Sequence, residues 1–184
     1  MAGEFTSYYG ASHFADSTHN FEVQRTNHFE IVINLDKLKI DGAAELGEHI
    51  RLSAKSIGAP KITSEAIELK HGNDTVKVAA RPTYEDLEIT VYDTLGRDQL
   101  DVLQKWYNKV FDYQTKLMGL VSDYKTDATL YMYSPDCSMV RKWILEGVWP
   151  RSFGSASEFS FDSAEAQNVS LSLSVDRYHE ETWS

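Results

Sequence analysis

The sequence predicts a mainly β domain, an antiparallel β-sandwich or partly closed barrel with one flanking α-helix. Three observations carry this. Val169, Leu171, Leu173 and Val175 alternate strictly with Ser170, Ser172, Ser174 and Asp176, the two-residue period of a half-buried strand. His71-Gly72-Asn73-Asp74 is a turn signal set between two strand-like runs, which makes a hairpin of Ile62–Lys70 and Thr75–Ala80. Only one long segment has a helical period, whereas a doubly wound parallel sheet needs helices alternating with strands.

From the start of the chain, residues 1–24 are rich in Ser, His, Gly, Asn and Asp and follow neither period. They read as an N-terminal arm, and residues 25–184 as one β domain. The aromatics Tyr8, Tyr9, Phe14 and Phe21 suit an arm that docks, either on a neighbouring subunit or on its own domain. Phe29, Ile31, Ile33 and Leu35 alternate with His28, Glu30, Val32 and Asn34, a first strand. Asp36 to Glu48 breaks the pattern with Asp-Gly and Leu-Gly and reads as a connection or projecting loop.

His49–Ser56 reads as a further strand ahead of Gly58-Ala59-Pro60 and the hairpin, which Pro82 is expected to end. Leu87, Ile89 and Val91 mark the next strand. Between Asp98 and Leu120, the residues Leu100, Leu103, Tyr107, Val110, Phe111 and Leu117 recur three and four apart, an amphipathic helix with Trp106 flanking the stripe and Asp98 as N-cap. Thr129–Tyr133 and Val140–Trp149 bracket Ser134-Pro135-Asp136 as a second hairpin, and Pro150 to Gln167 is Ser-rich and mixed.

Composition narrows the function. With 184 residues and 42% hydrophobic content the chain can build one ordinary core. Eighteen basic against 28 acidic residues give a net charge of −10, and the densest basic stretch is Arg141-Lys142. A protein that grips phosphate backbones carries a basic patch, so sequence-independent DNA gripping is not expected. The acidic balance suits either DNA passing without sticking or simple solubility. The lone Cys137 supports neither a disulfide framework nor a cysteine-based metal site. No basic-then-apolar leader opens the chain and no run reaches a membrane span, so synthesis in the cytoplasm is expected.

A search for chemistry finds no converging signature. Nucleophile-elbow, phosphate-loop and dinucleotide motifs are absent. His13, His19, His28, His49, His71 and His179 are scattered, with no i, i+4 pair for a metal. Glu85-Asp86 and Glu180-Glu181 read as surface charge, since a catalytic dyad needs a cleft rather than adjacency. The sequons at Asn73 and Asn168 are idle without secretion. Tyr131, Met132, Tyr133, Trp143 and Trp149 could form a stacking platform for nucleic acid, but such platforms come with basic tracks, and core or subunit packing is the better reading. No catalytic, cofactor-binding or metal residue is therefore expected.

The order of motifs carries a resemblance. The strand Phe29–Leu35 leads to a hairpin strand ending Ile67-Glu68-Leu69-Lys70-His71-Gly72. A Trp-bearing helix follows at Lys105-Trp106-Tyr107, then Trp143-Ile144-Leu145-Glu146-Gly147-Val148-Trp149-Pro150, then a closing strand that runs from Val169 to Tyr178. This series, covering Arg25 to Tyr178, resembles the tail tube proteins of contractile-tailed bacteriophages of the T-even type. The resemblance implies a non-enzymatic virion subunit that self-assembles as hexameric rings with a continuous inner β-barrel. The rings would stack into a hollow conduit for DNA ejection inside a contractile sheath, with sheath, baseplate and tail terminator as partners. It places the protein in the virion tail, and in the host cytoplasm during assembly. On this reading the arm at 1–24 and the loop Asp36–Glu48 are candidates for contacts between rings. Alternatives are the tube of a bacterial contractile injection system and, in a different class, a monomeric β-sandwich binding module.

Overall fold

The computed structural model describes residues 25–94, 99–156, 160–162 and 165–181. The expected arm at 1–24 and the Asp98 cap lie outside them. Among the described residues nine strands and three helices follow in the order β1 (Phe29–Ile33), α1 (Ala43–Ser53), β2 (Ala54–Ile57), β3 (Ile62–His71), β4 (Asp74–Tyr84), β5 (Leu87–Tyr92), α2 (Gln99–Val110), α3 (Val121–Tyr124), β6 (Thr126–Tyr133), β7 (Met139–Ser155), β8 (Asn168–Ser174) and β9 (Arg177–Glu181). All pairings are antiparallel. The main sheet runs β1-β6-β7-β8-β5-β2, with β9 also on β7, and β3–β4 forms a separate two-stranded ribbon.

Strand β7 ties two walls together. Its first part pairs with β6 and, over Lys142–Glu146, with β9; its last part, Trp149–Ser155, pairs with β8. The core fills the space between the walls. Ile31 and Ile33 of β1, Leu145 and Val148 of β7, Leu87, Ile89 and Val91 of β5, and Val169, Leu171 and Leu173 of β8 are all buried. In β1, β5 and β8 these are the alternate positions that the two-residue period marks, whereas Leu145 and Val148 are three apart, on either side of the turn in β7 at Gly147.

Several expectations are corrected. Asp36–Glu48 does not project. A 3-10 turn at Asp36–Leu38 buries Leu38, and α1 then buries Ala43, Leu46 and Ile50 on its i, i+3, i+7 stripe. So His49–Ser53 is helical, only Ala54–Ile57 is strand, and α1 is a second substantial helix besides α2. Gly47 lets α1 lie close to β1, its missing Cβ facing the Ile33 carbonyl at 3.3 Å. The helix thereby shields the outer edge of β1, a standard answer to an unpaired strand.

The predicted long helix stops at Val110. Trp106 does not flank the stripe but is its centre, fully buried, with Nε1–H donating to the Tyr124 carbonyl at 2.8 Å. Beyond it a tight loop forms around Asp112, which accepts from the Gln114 N–H and the Thr115 hydroxyl, and Phe111 bridges Met118. Leu117 is therefore exposed rather than packed. Pro82 does not end its strand: it sits inside β4 opposite Ser64, beside a bulge between Ser64 and Ala66, in a ribbon whose outer edge needs no N–H from it. Likewise β7 runs through Pro150 to Ser155, with a bulge between Pro150 and Ser152.

Candidate assembly surface

The β3–β4 ribbon is the feature that the core does not explain. It continues β2 and β5 outward for ten or more residues beyond the sheet, and almost every residue in it is solvent-exposed. Its two faces differ. Ile67 lies opposite Val78 and Leu69 opposite Val76, and all four are 40–58% exposed on one side. The other side carries Ala66 opposite Ala79 and Glu68 opposite Lys77, the latter an ion pair at 3.5 Å. A two-stranded ribbon is marginally stable alone in water. An apolar stripe on such a ribbon is a surface built to be covered. At its base Tyr84 packs edge-on against Tyr178 at 5.2 Å, and Glu85 accepts from Thr63 and pairs with Lys61. Those contacts hold the Glu85 carboxyl below its ordinary range, Thr63 first and Lys61 next.

The wall β7-β8-β5-β2 has two free edges among the described residues. Strand β2 pairs only with β5, and Trp149–Ser155 of β7 pairs only with β8. Beside the β2 edge an open groove of about 630 Å³ is lined by Thr26, Phe29, Arg51, Lys55, Ile57 and Tyr92. Because the wall has four alternating strands, β2 and β7 run in opposite directions. A head-to-tail junction of β2 with the next copy's β7 would again be antiparallel, so the alternation can continue around a closed ring.

The face of this wall turned away from the core is made largely of small hydroxyl residues, of which Ser172 is itself buried. Ser56, Thr90 and Ser170 share one cross-strand row with Gly154, and Glu88, Ser172 and Ser152 share the next. The Ser172 hydroxyl donates to Glu88 at 2.6 Å. A second apolar surface lies between α2 and α3, where Leu117, Met118, Leu120 and Val121, the first residue of α3, are each more than half exposed.

Residues that sequence reasoning examined for chemistry fall into structural roles. Tyr131 and Tyr133 stack at 6.2 Å, Trp143 packs against the core, and Trp149 meets Tyr124 edge-on. They form no common platform. The Tyr133 hydroxyl donates to Glu30 at 2.8 Å, and burial first, then that bond, pushes its pKa up to about 12. Glu180 and Glu181 pair with Arg141 and Lys142, and Asp86 with Arg151. His49 bonds Thr94 and Ser53, and His179 lies 3.9 Å from Glu146. Among the described residues no group of three or more His, Cys, Asp or Glu is placed to hold a metal. No helix among them is long and apolar enough to cross a membrane.

What sequence reasoning missed is the length and bareness of the ribbon. The alternation Ile67, Leu69 and Val76, Val78 was the available signal, but it does not say whether anything lies on that stripe.

Comparison with known proteins agrees with this architecture. No curated protein sequence matches. Among solved structures, the chain is similar to a sheath-tube complex of the PVC extracellular contractile injection system, at 15% identity and TM-score 0.64, over 95% of this chain and 99% of that one. It is also similar to the tube-terminating cap of the anti-feeding prophage, at 17% identity and TM-score 0.63, over 88% and 92% of the two chains. Hcp1 from Flavobacterium johnsoniae shares the fold at 8% identity and TM-score 0.50, over 85% and 96%. A family model matches residues 25–179, nearly the whole described domain, and by that match the chain belongs to the T4-like virus tail tube protein gp19 family, whose role is that of a tube subunit.

Proposed function

We propose that this tube subunit closes into hexameric rings through the edges of its four-stranded wall, β2 of one copy against β7 of the next. The domain at 25–184 forms the ring, and the arm at 1–24 reaches a neighbouring copy. Rings stack through the β3–β4 ribbon into a hollow conduit inside a contractile sheath, and DNA leaves through the bore. The observation that carries this is the apolar stripe, exposed among the described residues, on a two-stranded ribbon that is marginally stable by itself. Six copies of four strands at ~4.8 Å spacing give roughly 115 Å of circumference, or roughly 37 Å across, before strand tilt widens it. Such a barrel has space for a nucleic-acid duplex after side chains are placed. Sheath, baseplate and terminator proteins are the further partners, and the finished protein resides in the tail of the particle. The role needs no catalytic group.

Negative-stain electron microscopy of the concentrated protein tests this. Hollow rings or stacked tubes are expected. A protein that stays monomeric at high concentration and also in the presence of preformed tube ends would overturn it. A second reading, the tube of a contractile injection system, shares this fold over nearly whole chains but is not favoured over the phage tail tube. Purified particles separate the two: nuclease-protected DNA marks the phage tail, and its absence marks the injection system.

A further inference from the structure

We propose that the hydroxyl face of the β7-β8-β5-β2 wall lines the bore and is electrically neutral, so that a passing polyanion is neither gripped nor driven off. The inference rests on the ring closure proposed above. It adds which residues form the inner surface and what chemistry they present.

The direction of the face follows from bulk. Both substantial helices and the β1-β6-β7-β9 wall lie behind the packed side, where Ile89, Leu171 and their neighbours are buried. When four-stranded walls join edge to edge into a closed ring, the bulky side must take the larger radius, because circumference grows outward. The thin, bare side is then innermost. In chain order that side carries Ser56, Glu88, Thr90, Ser152, Ser170 and Ser174, with Ser172 itself buried and bonded to Glu88, and Tyr92 at one end.

Charges on and beside this face cancel. Glu88 is on it, held by Ser172. Arg151, the extra residue of the β7 bulge, pairs with Asp86 at the head of β5. Lys55, at the β2 irregularity, places Nζ 5.5 Å from the centre of the Tyr92 ring. Two carboxylates and two cations sum to zero, although the whole chain carries −10. The acidity thus resides on other surfaces. Serine and threonine hydroxyls donate and accept, so they hold a water layer while offering phosphates no fixed cation. With no cation cluster there is no counterion release to bind the polymer, and passage is insensitive to salt.

The test uses the full chain assembled into tubes. In a Cys137→Ser background, Ser170→Cys is treated with N-ethylmaleimide and with a polyethylene-glycol maleimide too large for the bore. Tubes should react with the small reagent and roughly tenfold more slowly with the large one, while dissociated subunits react with both. Equal reaction of tubes with the large reagent would overturn the placement while leaving the tube reading intact. Thr90→Cys replaces Ser170→Cys if the latter fails to assemble. For the charge, retention of a double-stranded oligonucleotide by tubes at low salt should stay at background in the unsubstituted protein. Glu88→Gln and Thr90→Lys each leave one net cation per subunit on the face, so both should raise it roughly tenfold and salt should abolish that gain. Salt-dependent retention by unsubstituted tubes, or background retention by both variants, would overturn neutrality. If the unsubstituted chain forms neither rings nor tubes, the ring reading fails and this inference fails with it.

Discussion

Gly147 lies against the side chain of Asp176 at the corner where the two walls meet. Its φ is +69°, and a Cβ placed there would stand 2.7 Å from the Asp176 carboxyl carbon. Strand β7 passes from β6 and β9 to β8 at this point, and β8 gives way to β9 across from it. The Asp176 N–H donates to the Glu146 carbonyl at 3.1 Å, and Lys125 Nζ reaches both carboxylate oxygens at 2.5 and 2.7 Å. The corner therefore needs a residue without a side chain in a left-handed conformation, beside a clamped carboxylate.

Gly147→Ala should destabilise the subunit by about 2–3 kcal/mol, from the left-handed backbone and the displaced carboxylate together. Urea unfolding of the monomeric subunit measures it. A change below ~0.5 kcal/mol would mean that the corner relaxes freely. Asp176→Ala in the same background should recover part of the loss, since the obstructing group is gone.

The ribbon stripe separates folding from assembly. Ile67→Glu with Val78→Lys leaves the core untouched, so the unfolding midpoint should move little, within about ±0.5 kcal/mol of the parent. Tube formation, scored by sedimentation and electron microscopy, should be lost. Normal tubes from this double variant would remove the ribbon from the assembly surface.

The core strand behaves in the opposite way. Leu171 is buried between Ile89 and Phe153 in the register of β5, β8 and β7. Leu171→Ala should cost about 2–5 kcal/mol, and Leu171→Asp should yield insoluble protein. Soluble, assembling Leu171→Asp protein would contradict the packing described.

For the helix, the informative position is Trp106 and not Phe111, which lies past the end of α2 and is half-buried. Trp106→Phe removes the indole donor and leaves the Tyr124 carbonyl without that partner. A loss of about 1–3 kcal/mol is expected by thermal or urea unfolding.

Asp136 supplies a pH signature. Hydrogen bonds from Ser134 first, then Ser138, lower its pKa from 3.8 to about 2. A carboxyl lowered on folding stabilises the native turn above the unfolded value and loses that contribution as pH falls through the folded one. The effect should thus be complete above about pH 4 and fade towards pH 2. A carboxyl NMR titration of Asp136 reads the midpoint directly, and a midpoint at 3.8 would show that the β6–β7 turn does not hold it.

The sequence by itself determined the elements whose signal is local. The alternations at Phe29–Leu35, Leu87–Val91 and Val169–Val175 fix which residues enter the core, because the strand period is two wherever the strand lies. His71-Gly72-Asn73-Asp74 fixed the ribbon turn, and the order of motifs was enough to indicate the tail tube family. Other features depended on partners far along the chain. Whether Ala43, Leu46 and Ile50 form a buried helical stripe is masked locally by Gly42 and Gly47, and is decided by the β1 edge that α1 covers. Pro82 and Pro150 stay within strands because their N–H positions face an outer edge or a bulge, which only the pairing reveals. Period tells that Ser170 opposes Leu171, but not what either face meets. That Leu171 is enclosed, that Ser170 lies on a bare wall and that Ile67 and Val78 are uncovered were decided by tertiary structure, since burial belongs to pairs of surfaces and a sequence window holds just one of them.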